Sequence, residues 1–314
     1  MRIAGHTMGT PELALDQAVE LFRQIGLDGI EVICQDGYPC GIPLSTPEFE
    51  AAAIGRAIRE RGLQPVSLTP YTNAINALDT SERAAAVDEL RRVITLAAAM
   101  GAQYVRIYGG SFPPGTDQAE SRWAILVDSL RDLGRQAAQG GVTLVVENHF
   151  NTMTPSARLA AQLIDEVDQP AVRILYDQAN LSFQGDEDFS AAIPLQVGRV
   201  GLVHVKDFVW KDGAPGFSAS KVFVVDESER KVRSRVVGEG VLPWHRILRA
   251  LSDIGYDGWL SLEYERRWHP EDLPPAADGM RRSAEHVRRM LAELQTPSGP
   301  TPTASFQRWG RLPS

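Results

Sequence analysis

Apolar residues in this chain fall into short β-branched runs that alternate with longer stretches in which they recur at helical spacing, the pattern of buried strands separated by amphipathic helices. Arg2 to His6 reads as the first strand. Thr10-Pro11-Glu12 then carries a helix-start signal: Thr to cap, Pro at the first helical position and Glu at the positive end of the dipole. Ala18, Leu21, Phe22 and Ile25 follow at helical spacing, and Gly26 is placed to close the helix in a left-handed cap. The unit repeats with a strand over Asp28 to Ile33 and a second start signal, Thr46-Pro47-Glu48, leading a helix that stops at Gly62.

Further strands are expected at Pro65 to Leu68, Tyr104 to Tyr108, Val142 to His149, Val172 to Asp177, Val200 to Asp207 and Gly258 to Glu263, with helical patterns between them. Ile25-Gly26-Leu27-Asp28-Gly29 recurs as Ile254-Gly255-Tyr256-Asp257-Gly258, each a helix exit feeding a strand. Eight such alternations predict a closed (β/α)8 barrel, although an open doubly wound sheet has the same local grammar. Polar residues gathered at the C-terminal ends of the last four strands decide for closure, because only a barrel brings those ends around one centre. Residues 208–236, between strands seven and eight, read as an excursion in which Lys221 to Val225 and Lys231 to Val237 form the arms of a hairpin. Residues 1–295 are thus one catalytic domain, and the Pro-, Ser- and Thr-rich tail 296–314 is disordered or laid on a neighbour.

A net charge of -8 gives no electrostatic reason to expect nucleic acid. Cys34 and Cys40 share one short segment, match no zinc or redox spacing and are read as packing residues of a reduced chain. The strand-like start leaves no signal-peptide pattern, and no run approaches the roughly 20 apolar residues of a membrane span, so a cytoplasmic protein is expected.

The chemistry gathers where strands end. Glu147, Asp177, His204 and Glu263 each terminate an apolar run, where a lone carboxylate would ordinarily be a solvated terminus. Four on consecutive strands suit one divalent cation: manganese first, with magnesium, cobalt or zinc as alternatives. Period-two geometry puts His149 beside Glu147, Lys206 beside His204 and Glu265 beside Glu263. Asn180, Asp207, His6 and Tyr71 complete the candidate substrate contacts; a capped structural histidine is the alternative for His6, and a plain loop for Tyr71 and for Gly109-Gly110-Ser111. Glu31, followed by Val32-Ile33, ends no strand and is read as structural. His245, His269 and His286 are read as surface residues, and Trp210 and Phe217 as walls of the pocket or contacts to a partner.

Val-Val-Glu147-Asn-His149, Tyr-Asp177-Gln-Ala-Asn180, His204-Val-Lys206-Asp207, Gly238-Glu239-Gly240 and Gly-Tyr-Asp-Gly-Trp-Leu-Ser-Leu-Glu263 together resemble the xylose isomerase-like TIM barrel superfamily, in its sugar phosphate isomerase/epimerase group. The resemblance runs from Arg2 to about Leu294. It implies that Glu147, Asp177, His204 and Glu263 bind one divalent metal while Glu147 and Glu263 move a proton, isomerising or epimerising a keto-sugar or related polyol through a stabilised enediolate. Where ketose 3-epimerases of the group carry a substrate-touching His and Arg, this chain has Asn180 and Trp210, closer to the branch with inosose-processing enzymes. A lyase on the same site, an inosose-type dehydratase or a 3-keto-glycoside-cleaving enzyme, is therefore the alternative. An AP endonuclease fits less well, having further histidines, one of them at the place of Asn180. A non-catalytic binding barrel is opposed by the intact pair Glu147 and Glu263. The expected partners are a small sugar or polyol and, in a homodimer or homotetramer, further copies of the chain.

Overall fold

The computed structural model describes residues 1–183, 187–211, 219, 227–228 and 230–295. Alternation begins with β1 (Arg2–His6), α1 (Leu15–Ile25), β2 (Gly29–Ile33), α2 (Glu48–Glu60), β3 (Gln64–Thr69), α3 (Thr80–Met100), β4 (Tyr104–Tyr108) and α4 (Ala119–Gln139). It continues through β5 (Thr143–Glu147), α5 (Ala157–Val167), β6 (Val172–Asp177), two short helices α6 (Gln178–Phe183) and α7 (Phe189–Leu195), and β7 (Val200–Val205). After β8 (Asp207–Trp210) and β9 (Val232–Arg235) come α8 (Trp244–Asp253), β10 (Trp259–Leu262) and α9 (Ala276–Gln295). Eight parallel strands close in the order β1-β10-β7-β6-β5-β4-β3-β2, a TIM barrel, while β8 and β9 pair antiparallel outside it.

The barrel has two cores because strand side chains alternate. Outward residues such as Ile3, Val105, Val146, Val203 and Leu260 pack under the helices, against Phe22, Leu90, Leu130 and Ile247 among others. Inward, Ala4, Val66, Tyr104, Val145, Leu175, Leu202 and Trp259 fill the barrel floor. Two residues beyond the floor on their own strands stand His6, Arg106, Glu147, Asp177, His204 and Ser261, all buried. The same period that plugs the floor with apolar atoms therefore delivers the polar groups to the layer above it.

Three local expectations change. Neither threonine caps a helix: Thr10 Oγ1 donates to the Thr7 carbonyl at 2.9 Å and Thr46 Oγ1 to that of Pro43 at 2.7 Å. Each closes a turn upstream, so α1 starts only at Leu15, where the Gln17 side chain accepts from the Ala14 amide at 3.0 Å. Gly26 does end α1 in the left-handed region, at φ 75°. Val200 to Asp207 is two strands rather than one, β7 stopping at Val205 and β8 starting at Asp207. The hairpin of the excursion consequently pairs β8 with β9, Asp207 opposite Arg235 and Trp210 opposite Val232. The expected arm Lys221 to Val225, Phe217 and the tail 296–314 lie outside the described residues.

Candidate metal and active site

Four consecutive barrel strands deliver Glu147, Asp177, His204 and Glu263 to one point, where one ligand atom from each lies within 4.8 Å of the others. Lateral pairing sets this up, since Asp177 and His204 are register partners, as are Ser261 and His204. Glu147 Oε2, Asp177 Oδ2, His204 Nδ1 and Glu263 Oε2 are all buried and form no directed hydrogen bond. Charge alone holds three of them: Arg106 pairs with Glu147 Oε2, and Lys206 Nζ lies 3.0 Å from Asp177 Oδ2 and 2.8 Å from Glu263 Oε2. His204 Nδ1 faces Glu147 Oε1 at 3.5 Å and Glu263 Oε2 at 3.4 Å.

These residues fit a divalent cation. With buried Glu31 included, four carboxylates face the two cations Arg106 and Lys206, and one divalent ion would cancel the excess of negative charge. Protonation shows the same demand. Burial works against charge on His204, yet Glu263 and Glu31 outweigh it and raise its pKa well above the ordinary value. Burial, reinforced by Glu263 and Glu147 against the pull of Lys206, lifts Asp177 to about 7. Burial also resists ionisation of Glu147 and Glu263, but Arg106 holds the first at about 2, and Lys206 with His204 holds the second well below the carboxylate range.

Two members of the site were missed or misread in the sequence. Glu31 lies within β2, fully buried, and accepts from Thr69 Oγ1 at 2.5 Å, Ser261 Oγ at 2.6 Å and His204 Nε2 at 3.1 Å. It belongs to the polar layer rather than to a separate structural core. Arg106, mid-strand in β4, underlies Glu147, and its guanidinium stacks 3.7 Å over the Tyr108 ring. A lone charge inside an otherwise apolar barrel strand is the signal that would have found both, because such a group needs a buried partner.

Above the ligands lies a cavity of about 90 Å³ lined by His6, Tyr71, His149, Lys206, Glu263, Glu265 and others. Phe150 and Phe183 line it as well, as do Tyr71 and Trp268, whose rings meet edge to face at 5.8 Å. His149 is brought to the cavity with Nδ1 2.9 Å from the Phe150 carbonyl, and burial drives its pKa down to about 4. The His6 side chain faces both ways: Nδ1 accepts from the Met8 amide at 3.1 Å and Nε2 lies 3.8 Å from Glu31. Asn180 is turned to the ligands, its Nδ2 donating to Glu147 Oε1 at 3.0 Å and its amide to Asp177 Oδ1 at 3.0 Å.

Asp207 is placed otherwise than expected. Its carboxylate accepts from the amides of Phe208, Gly238, Gly240 and Leu242 at 2.9 to 3.2 Å, so it anchors a turn instead of facing the cavity. That explains Gly238-Glu239-Gly240 physically: Gly238 has φ 89°, and a Cβ on Gly240 would lie 2.1 Å from Asp207 Oδ1. His286, expected at the surface, braces the same turn through the Val237 carbonyl at 2.5 Å. His269, also expected there, lines the cavity. Gly109-Gly110-Ser111 is a tied loop, with the Ser111 amide donating to Asn76 Oδ1 at 2.9 Å. Trp210 packs edge to face on Phe208 at 5.0 Å, and Cys34 and Cys40 are buried free thiols. Among the described residues no helix is long and apolar enough to cross a membrane.

The inosose dehydratase of Geobacillus thermodenitrificans is 31% identical over 147 residues, 47% of this chain and 48% of the relative. The chain thus spans about half the length of the curated relatives it matches. Among solved structures, D-psicose 3-epimerase in the presence of D-fructose superposes with a TM-score of 0.70 at 20% identity, covering 93% of this chain and 98% of that one. The IOLI protein with a binding zinc atom superposes at 0.74 with 17% identity, covering 94% and 99%. At such identities the likeness is one of fold. The family model described as xylose isomerase-like TIM barrel matches residues 19–290, and the chain belongs to that family.

Proposed function

We propose that the chain is a divalent-metal-dependent enzyme that removes a proton beside the carbonyl of an uncharged keto-sugar or related polyol, acting as an isomerase or epimerase. The observation that carries this is the convergence of Glu147, Asp177, His204 and Glu263 beneath an aromatic-walled cavity. A divalent ion held there would supply Lewis acidity, polarising a carbonyl and acidifying the C–H next to it. Glu147 and Glu263 are both ionised at neutral pH, so either can take that proton. The glutamate that takes it can return it at the neighbouring carbon, which moves the carbonyl, or its counterpart, once it has itself taken up a proton from solvent, can deliver that proton from the other face and invert a carbon. Lys206 Nζ, 3.3 Å from Glu265 and lining the cavity, is placed to hydrogen-bond a substrate oxygen, as is His149. The aromatic side chains exclude water and offer faces to the C–H side of a sugar ring.

Lack of charge on the substrate follows from the cations. Arg106, Lys206 and Arg230, the cavity-lining cations among the described residues, are already ion-paired: to Glu147, to Asp177 with both Glu263 and Glu265, and to Glu271 with Asp272. A phosphate would have to compete with Glu265 for Lys206 and with Glu271 and Asp272 for Arg230, acids outside the four proposed ligands.

Elimination is the second reading, favoured by the likeness to inosose dehydratases and by Asn180 and Trp210 standing where ketose 3-epimerases place His and Arg. It shares the proton abstraction and differs only in losing a β-hydroxyl or glycosidic oxygen afterwards. Incubating manganese-loaded protein in heavy water with a panel of ketoses and with inosose separates the two: deuterium in recovered sugar supports proton return, a new enone absorbance supports elimination. Neither signal with any substrate would reject both.

A further inference from the structure

Between the barrel floor and the ligand layer, the Glu31 carboxylate is surrounded by donors. Thr69 Oγ1 lies 2.5 Å from Oε1, Ser261 Oγ 2.6 Å from Oε2, and His204 Nε2 3.3 and 3.1 Å from the two oxygens. His6 Nε2 adds a contact at 3.8 Å. The side chains of Glu31 and His204 are both fully buried, so water does not compete for these bonds. An ionised carboxylate only accepts, so the bond to His204 places a proton on Nε2. A neutral His204 ring with Nε2 protonated has its lone pair on Nδ1, the atom 3.4 Å from Glu263 Oε2 and 3.5 Å from Glu147 Oε1.

We propose that Glu31 is a positioning residue for the metal centre: it locks His204 in the Nε2–H tautomer and ring orientation, so that Nδ1 is the nitrogen offered to the cation. The inference rests on the metal reading above and adds a fifth, non-ligating residue from β2, on the far side of the barrel from β6. Its physics is that of carboxylate–histidine–metal arrays, in which the acceptor fixes the ring and raises its basicity as a ligand. Ser261 and Thr69 in turn hold Glu31 in the one orientation that reaches the ring. Glu31 is not among the four converging residues and does not line the cavity, and His204 is the one of those four that it hydrogen-bonds, so its route to the cation runs through that ring.

Zinc alone is a sufficient probe. Full-length chain labelled with ¹⁵N-histidine and loaded with zinc should show His204, assigned by its loss in His204→Ala, with a protonated Nε2 and a zinc-shifted Nδ1. Glu31→Gln keeps the shape and removes the charge. Its zinc affinity, measured by chelator competition on folded protein, should fall by about 10- to 100-fold. Ser261→Ala, which frees Glu31 without removing it, should lose affinity by a smaller factor and keeps the test available if Glu31→Gln does not fold. Zinc on Nε2 of His204, or undiminished affinity in both variants, overturns the inference while leaving the metal reading standing. Parent chain that takes up no zinc overturns the metal reading, and the inference with it.

Discussion

On the proposed function Glu147 is the residue on which the chemistry would turn, because it combines a candidate ligand position and a proposed proton-moving role with a buried cation, Arg106, that keeps it ionised. Glu147→Gln preserves its size and removes both the charge and the basicity. Turnover of the folded protein should drop by about 100- to 10,000-fold in a steady-state assay on the substrate found above, and the melting temperature should fall as well, because Arg106 loses its buried partner. Asp207 makes the contrasting case, a buried acid whose carboxylate is taken up by the backbone of a turn. Asp207→Ala leaves the amides of Gly238, Gly240 and Leu242 without their acceptor, which should cost about 3 kcal/mol or more in urea unfolding. Metal affinity should hold at the parent value in whatever fraction remains folded.

Individual elements show what could be read from the sequence and what could not. β4 and β6 have their expected bounds, and the four candidate ligands stood out because each closes an apolar run. Glu31 ends no strand, as read, since β2 runs two residues past it, but strand position alone did not show that its carboxylate would join the buried polar layer beside His204. Helix starts failed for a different reason. Thr10 and Thr46 have the right chemistry for a cap, but the loops after β1 and β2 fold into turns that take their hydroxyls first, a competition decided by tertiary structure. The hairpin was half legible: β9 falls inside its predicted arm, whereas its partner β8 had been read only at Asp207, as the end of the seventh strand, its other residues being assigned to the excursion without a strand of their own. At this scale the outer core is the test of the barrel. Leu260→Ala, on the helix-facing side of β10 and fully buried, should destabilise the fold by about 2 to 5 kcal/mol in urea unfolding. Its zinc affinity should stay unchanged, since the substitution is on the face away from the ligands.

For the molecule as a whole, closure of the barrel concentrates buried charge at its axis, and stability inherits a pH dependence from it. His6, His149 and His269, lowered chiefly by burial, are still partly protonated in the unfolded chain near pH 6.5 and so add stability as pH rises, a contribution essentially complete by about pH 7.5. His204 is raised, so in metal-free protein its charged form stabilises the fold fully below pH 6.5, and this contribution is lost as pH rises toward its folded pKa. Asp177, lifted to about 7 chiefly by burial, acts in the same direction at the lower end of that range. Metal-free protein should therefore melt at progressively lower temperature from about pH 7.5 to 8.5, where only the raised His204 and Asp177 still release protons, and the gain on adding manganese should grow over the same interval because the ion displaces the proton on His204. A metal-free melting temperature that rises with pH over that interval in scanning calorimetry would contradict this assignment of charge.

The central claim is that one cation sits where β5, β6, β7 and β10 finish, and anomalous diffraction from a manganese-soaked crystal tests it most directly. The account predicts a single strong peak bonded to Glu147, Asp177, His204 through Nδ1, and Glu263. A peak elsewhere, or none at these four residues in fully loaded protein, would contradict it.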